Sequence, residues 1–300
     1  MARFQMIQRS LAAVALAFVA ACASVNPYDL NREELAAAEK SLSLGDAKAA
    51  AARAEALYAG RAGEADKYPL QRYFALYLTA SAHMRAALGE PFLGHGAGQG
   101  STSIGSAKAT DVAHLVASMY YGALARELAP RAAKTNLVAN EARQLPPALE
   151  EVGVETAGQR LQLMRLVACA RLGFSSTINA ELEGWPEMHT PEGADSLLAR
   201  AKPDKELVPW IYYALFTHTR ESSDTDAYLF GARARLLAES TRNAIPAERL
   251  AEIIAWVKQK KDENRLVFAC SKCRKPFLPE KLRCLDDSTP ITDFFQSSLD

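Results

Sequence analysis

The chain has 300 residues with 35 basic and 35 acidic side chains, so it is formally neutral. That balance provides no basic field with which to hold nucleic acid, and a nucleic-acid partner is not expected. Alanine is abundant, above all between residues 35 and 62, while β-branched runs and apolar–polar alternation are scarce. Both features predict an all-α protein, long enough to bury a sizeable core in one elongated domain or two smaller ones.

Arg3 and Arg9 precede an uncharged apolar run from Leu11 to Ala21. The run is too short for a permanent membrane helix and has the layout of a secretory signal. It ends in Val19-Ala20-Ala21-Cys22, small residues leading directly into a cysteine. This stretch resembles the lipobox of a bacterial lipoprotein. The resemblance implies cleavage before Cys22, with lipid added to its thiol and to the new amino terminus. The alternative is an ordinary secretory peptide in which Cys22 is incidental. Ala23-Ser24 follows, with no Asp after the cysteine. The lipoprotein resemblance then implies an outer-membrane address, with the protein anchored by lipid and facing the periplasm. The expected organisation is a signal peptide at 1–21, a lipidated tether at 22–31, a helical repeat-like domain at 32–265 and a small cysteine-containing cap at 266–300.

Asn31 followed by Arg32-Glu33-Glu34 reads as an N-cap with acids in the first turn. One helix is expected to about Leu44 and a second from about Ala47 to Tyr58, separated by Gly45-Asp46. Leu35, Ala38, Leu42, Ala50, Ala54 and Leu57 fall at helical spacing, and small side chains let two helices approach closely. This stretch resembles a tetratricopeptide repeat, which implies helical hairpins stacked as a solenoid. A generic αα-hairpin in an irregular helical bundle is the alternative.

Pro69 suits the first turn of a helix with Leu70, Phe74, Tyr77, Ser81, Met84 and Leu88 on one face. Thr110-Asp111 opens another, with Val112, Val116, Met119 and Ala123 as its face and an end before Pro130. Residues 158–172 are apolar almost all round and predict a central helix holding Cys169 as a packing residue. Helices are also expected from Pro209, from Asp226 to Ser240 and from Pro246 to Lys260. Two stretches read as linkers: Gly89 to Ala107, rich in glycine, and 174–206, where Trp185-Pro186, Pro191 and Pro203 suggest irregular chain.

Near the carboxyl terminus stand Cys270-Ser271-Lys272-Cys273 and then Cys284-Leu285-Asp286-Asp287. The Cys-x-x-Cys turn, followed by a basic residue and an aromatic, resembles one knuckle of a zinc ribbon. The resemblance implies zinc held by Cys270, Cys273, Cys284 and Asp287, three thiolates and a carboxylate. A disulfide among Cys270, Cys273 and Cys284 is the alternative, since exported thiols tend to oxidise. With Cys22 lipidated and Cys169 buried, three cysteines remain, an odd number that suits metal better.

Trp210, Tyr212, Tyr213 and Phe216 form the best candidate for a binding surface, because Tyr and Trp join large contact area to a polar tip. The alternative is a core seam between adjacent helices. Ser101-Thr102-Ser103-Ile104-Gly105 and the neighbouring glycines lack both the Lys-Ser/Thr of a phosphate loop and a preceding strand. His83, His114 and His218 fall on helices without a metal-ligand spacing, and Glu187 with His189 could form an acid–base pair. The function expected is a membrane-anchored, non-catalytic helical scaffold for a protein partner. Two alternatives are a small-molecule-binding accessory lipoprotein, for example of a transporter, and a hydrolase using loop histidines and acids.

Overall fold

A computed structural model describes residues 27–60, 67–89, 109–136, 145–241 and 245–263. Among them are ten α-helices, one 3-10 turn and no strand, so the protein is all-α. The helices are α1 (Pro27–Ser43), α2 (Ala47–Gly60), α3 (Pro69–Gly89), α4 (Ala109–Asn136), α5 (Pro147–Leu172), α6 (Ser175–Glu183), α7 (Pro191–Ala201), α8 (Val208–Thr219), α9 (Asp224–Ser240) and α10 (Ala247–Asp262), with the 3-10 turn at Pro186–His189. No helix among the described residues is long and apolar enough to cross a membrane. The chain divides into two compact units: unit 1 runs up to Thr79 and takes Ala125–Gly153, and unit 2 takes Ala80–Leu124 and the chain from Val154 on.

In unit 1, α1 and α2 form an αα-hairpin. Gly45 adopts φ +86°, the left-handed conformation that glycine reaches without steric cost. Its N–H donates to Leu42 O at 3.0 Å and that of Asp46 to Ser41 O at 2.9 Å, closing the end of α1. Asp46 Oδ1 then accepts from Ala49 N at 2.9 Å and caps α2. Leu35, Ala38, Ala50 and Ala54 are buried, as their spacing predicted, while Leu42 and Leu57 of the same stripe are only half-buried. Asn31 is not the N-cap of α1. The helix begins at Pro27, whose fixed φ suits a first turn, and Asn31 lies one turn inside. There its amide donates to Gln71 Oε1 at 2.7 Å, while Gln71 Nε2 donates to Tyr28 O at 2.9 Å. A buried partner thus outweighs the capping preference of asparagine.

Pro130 does not end α4, which continues to Asn136. Proline at this position removes one bond to the carbonyl four residues back. Pro130 and Arg126 are both exposed, so water can serve the freed carbonyl, and Ala132 just beyond is fully buried. The buried face of α4 also differs from the expected one. Asp111, Leu115, Ser118 and Ala125 are buried, whereas Val112 and Val116 are exposed. Ser118 Oγ donates to Ala80 O at 2.9 Å, an approach that selects a small side chain and turns the valines outwards.

Unit 2 is centred on α8, in which every residue from Pro209 to Phe216 is buried. α9 packs against α8 and α10. A Cβ on Gly231 would lie 2.8 Å from Ile253 Cγ2 and 3.2 Å from Phe216 Cδ2, so the three helices meet where α9 has no side chain. Arg233 and Tyr212 both donate to the Asp195 carboxylate, which ties α7 to α8 and α9.

The stretch 174–206 is helical where irregular chain was expected. Pro186 and Pro191 stand at the first positions of the 3-10 turn and of α7, where a missing N–H costs nothing. Thr190 caps α7 by accepting from Gly193 N at 3.2 Å. Lys202 closes that helix in the left-handed region at φ +46°. Pro203 follows the cap, a common place for a residue that cannot extend a helix. The prolines therefore punctuate short helices.

Candidate functional site: an arginine-lined cleft in unit 2

The end of α5 turns sharply. Gly173 takes φ +76°, and Phe174 N donates to Cys169 O at 2.9 Å, after which α6 begins at Ser175. This turn forms one wall of a cleft of about 590 Å³, whose other walls come from α4, α8 and α10. Among the described residues, Arg171, Arg220 and Arg249 line it with a single carboxylate, Glu252.

Each arginine is set differently. Arg171 donates from Nη1 to Ala87 O at 2.8 Å, and its Cζ lies 5.6 Å from the Trp210 ring centroid. Burial lowers its pKa to about 10, against the opposing pull of Asp111, so it stays charged at neutral pH. Arg249 Nη1 donates to Glu252 Oε1 at 2.7 Å, and Tyr213 Oη donates to Glu252 Oε2 at 2.8 Å. Burial, followed by the bond to Glu252, pushes the Tyr213 hydroxyl up to about 12. Arg220 follows α8 directly and lines the same cleft. Phe174 and Val112 complete the wall with exposed apolar surface.

Trp210, Tyr212, Tyr213 and Phe216 are all buried on α8. Trp210 meets Tyr213 edge-on at 5.8 Å, Phe216 meets Trp256 edge-on at 5.5 Å, and Tyr212 stacks on Phe230 at 6.3 Å. These rings sit among α8, α9 and α10, and Tyr213 also lines the cleft. Cys169 is a free, buried cysteine whose thiol burial pushes up, which suits a packing role.

The described histidines come together in pairs. His83 Nδ1 lies 2.9 Å from His114 Nδ1, and the His83 ring stacks on Tyr121 at 5.7 Å. His189 and His218 have ring centroids 5.2 Å apart. His189 Nε2–H donates to Leu182 O at 2.8 Å, and His218 Nδ1–H donates to Asn179 Oδ1 at 2.9 Å. Glu187 instead accepts from Arg200 at 2.7 Å, so the structure does not bring Glu187 and His189 together as an acid–base pair. Among the described residues no group of three His, Cys, Asp or Glu side chains is arranged to hold a metal. Cys22, Cys270, Cys273, Cys284, Asp287, His95 and the 89–107 linker lie outside the described residues, apart from Gly89 at the end of α3.

Burial, and then the neighbouring His189, lower the pKa of His218 below 6.5, with Glu183 opposing. A depressed histidine is protonated more readily in the unfolded chain. Its contribution is therefore fully present above pH 6.5 and is lost as pH falls through the folded value. Urea midpoints measured from pH 8 to pH 5 should fall on the acid side, and His218→Gln should flatten that fall. An equal acid slope in the variant would assign the loss to other groups.

Fold and cleft together define an all-α protein with a cation-lined cleft. No protein-family model, curated protein or solved structure matches the chain.

Sequence reading missed the cleft because its walls come from separate helices. Arg171 closes α5 and Arg220 follows α8, places where a cation favours the helix dipole. That position is the only local signal they carry, and it says nothing of their meeting.

Proposed function

We propose that this chain is a lipid-anchored envelope lipoprotein whose helical body acts as a non-catalytic scaffold for a protein partner. The anchor rests on Val19-Ala20-Ala21-Cys22 and on the charge and length of the run before it. The observation that carries the scaffold reading is how three acids of unit 2 are spent. Asp195 joins Tyr212 and Arg233, Glu252 joins Tyr213 and Arg249, and Glu187 joins Arg200. Each acid holds elements together. Stacked helical hairpins, tetratricopeptide-like in the α1–α2 region, would suit such a body, and a zinc- or disulfide-closed cap would end it.

The cleft favours a second reading, a small-molecule-binding accessory lipoprotein. Its volume lies within the usual range for ligand sites.

Feeding cells an alkyne-tagged palmitate tests the anchor. The wild-type chain should take up the tag and sediment with membranes, and Cys22→Ala should lose both properties. Equal membrane recovery of the variant would overturn the anchor. Intact mass and zinc content of the same sample separate the two terminal chemistries. One zinc per chain supports Cys270, Cys273, Cys284 and Asp287 as ligands, and loss of two hydrogens without metal supports a disulfide.

A further inference from the structure

We propose that the unit 2 cleft binds a single carboxylate carried on an apolar body, with Arg220 as its charge partner. The assignment rests on the small-molecule reading above and names the ligand class. Its first support is the charge balance. Arg249 is bound to Glu252 at 2.7 Å, and Arg171 has Asp111 as its electrostatic counterpart. The Arg220 side chain has no ion pair or hydrogen bond among the described residues. Among the described residues, three guanidinium groups against these two carboxylates leave one positive charge facing the cleft. A monoanion neutralises it, whereas a phosphate dianion would bring a second charge with no counterpart. Guanidinium geometry suits carboxylate through paired N–H donors.

The second support is the apolar wall. Phe174 is 48% exposed and Val112 is 37% exposed, surface that an apolar ligand body would cover. Cation and apolar wall together describe an amphipathic acid. Its carboxylate could belong to a free apolar acid or to a peptide terminus, and the probes below separate these sources.

The test is calorimetric titration of the full chain and of Arg220→Gln in the same detergent. The probes are octanoate, octanamide, a blocked dileucine peptide with a free terminal carboxylate, its terminal amide, and inorganic phosphate. At least one carboxylate probe should saturate a single site, with its amide weaker by tenfold or more, as expected for a charge-assisted hydrogen bond. Arg220→Gln should lose a similar factor for the acid and little for the amide. Preference for octanoate identifies a free acid, and preference for the peptide identifies a chain terminus. Equal binding of acid and amide, or phosphate bound as tightly as the carboxylate, overturns the assignment while leaving a small-molecule site. Absence of saturable binding by every probe overturns that reading as well. If Arg220→Gln fails to fold, the acid–amide comparison on the unmodified chain decides.

Discussion

Phe216→Ala is expected to destabilise unit 2 by about 3–5 kcal/mol, the usual cost of deleting a large buried ring. Phe216 is fully buried on α8, meets Trp256 edge-on and lies at the point where α9 carries Gly231. The nearest position on α9, Gly231, has no side chain with which to fill the space. Set against a typical stability of about 5–15 kcal/mol, the loss is a large fraction of the whole. A urea titration followed by far-ultraviolet circular dichroism should show a lower midpoint with unchanged slope. Tyr212→Phe provides the contrast. It removes one hydrogen bond to Asp195 and keeps the ring, for a cost of about 1 kcal/mol. A Phe216→Ala cost as small as that would mean the ring faces solvent, and would return α8 to consideration as a binding surface.

Gly193→Ala is expected to cost about 3 kcal/mol, the upper end of the range for overpacking. Helix propensity alone argues the other way, since alanine in place of glycine gains about 1 kcal/mol within a helix. Geometry decides the sign. A Cβ on Gly193 would lie 2.1 Å from Glu187 O, a backbone atom that cannot rotate away. Either the 3-10 turn or the start of α7 must shift, and the Thr190 cap on Gly193 N would shift with it. Thermal melting of the variant against Gly184→Ala checks this, because a Cβ on Gly184 meets only an ordinary contact at 3.9 Å. A stabilised Gly193→Ala would show that the turn yields easily.

Much of the fold was legible because local signals agreed with burial. Gly45-Asp46 between two alanine-rich segments, and the prolines opening α3 and α8, each mark a boundary that backbone chemistry enforces. Reading failed where one residue type serves two purposes. Pro186 and Pro191 start helices with the same ring that breaks them elsewhere, and Pro130 sits where water can replace the lost bond. Asn31 has the side chain of a cap but is bound to Gln71, a partner 40 positions away. On α4 the apolar stripe lay about one residue from the buried face, because Ser118 at Ala80 decided which side packs. The cleft was least legible of all. Val112, Arg171, Phe174, Arg220 and Arg249 have no common spacing, and only tertiary packing brings them to one surface.

α1 begins at Pro27, five positions after Cys22. Five residues reach at most about 18 Å when fully extended. With Cys22 acylated, the body would be confined to a thin layer over the bilayer and would diffuse in two dimensions. Partners held in the same leaflet would then meet it at an effective concentration on the order of millimolar, as short tethers impose. Contacts too weak to detect in dilute solution could be well occupied there.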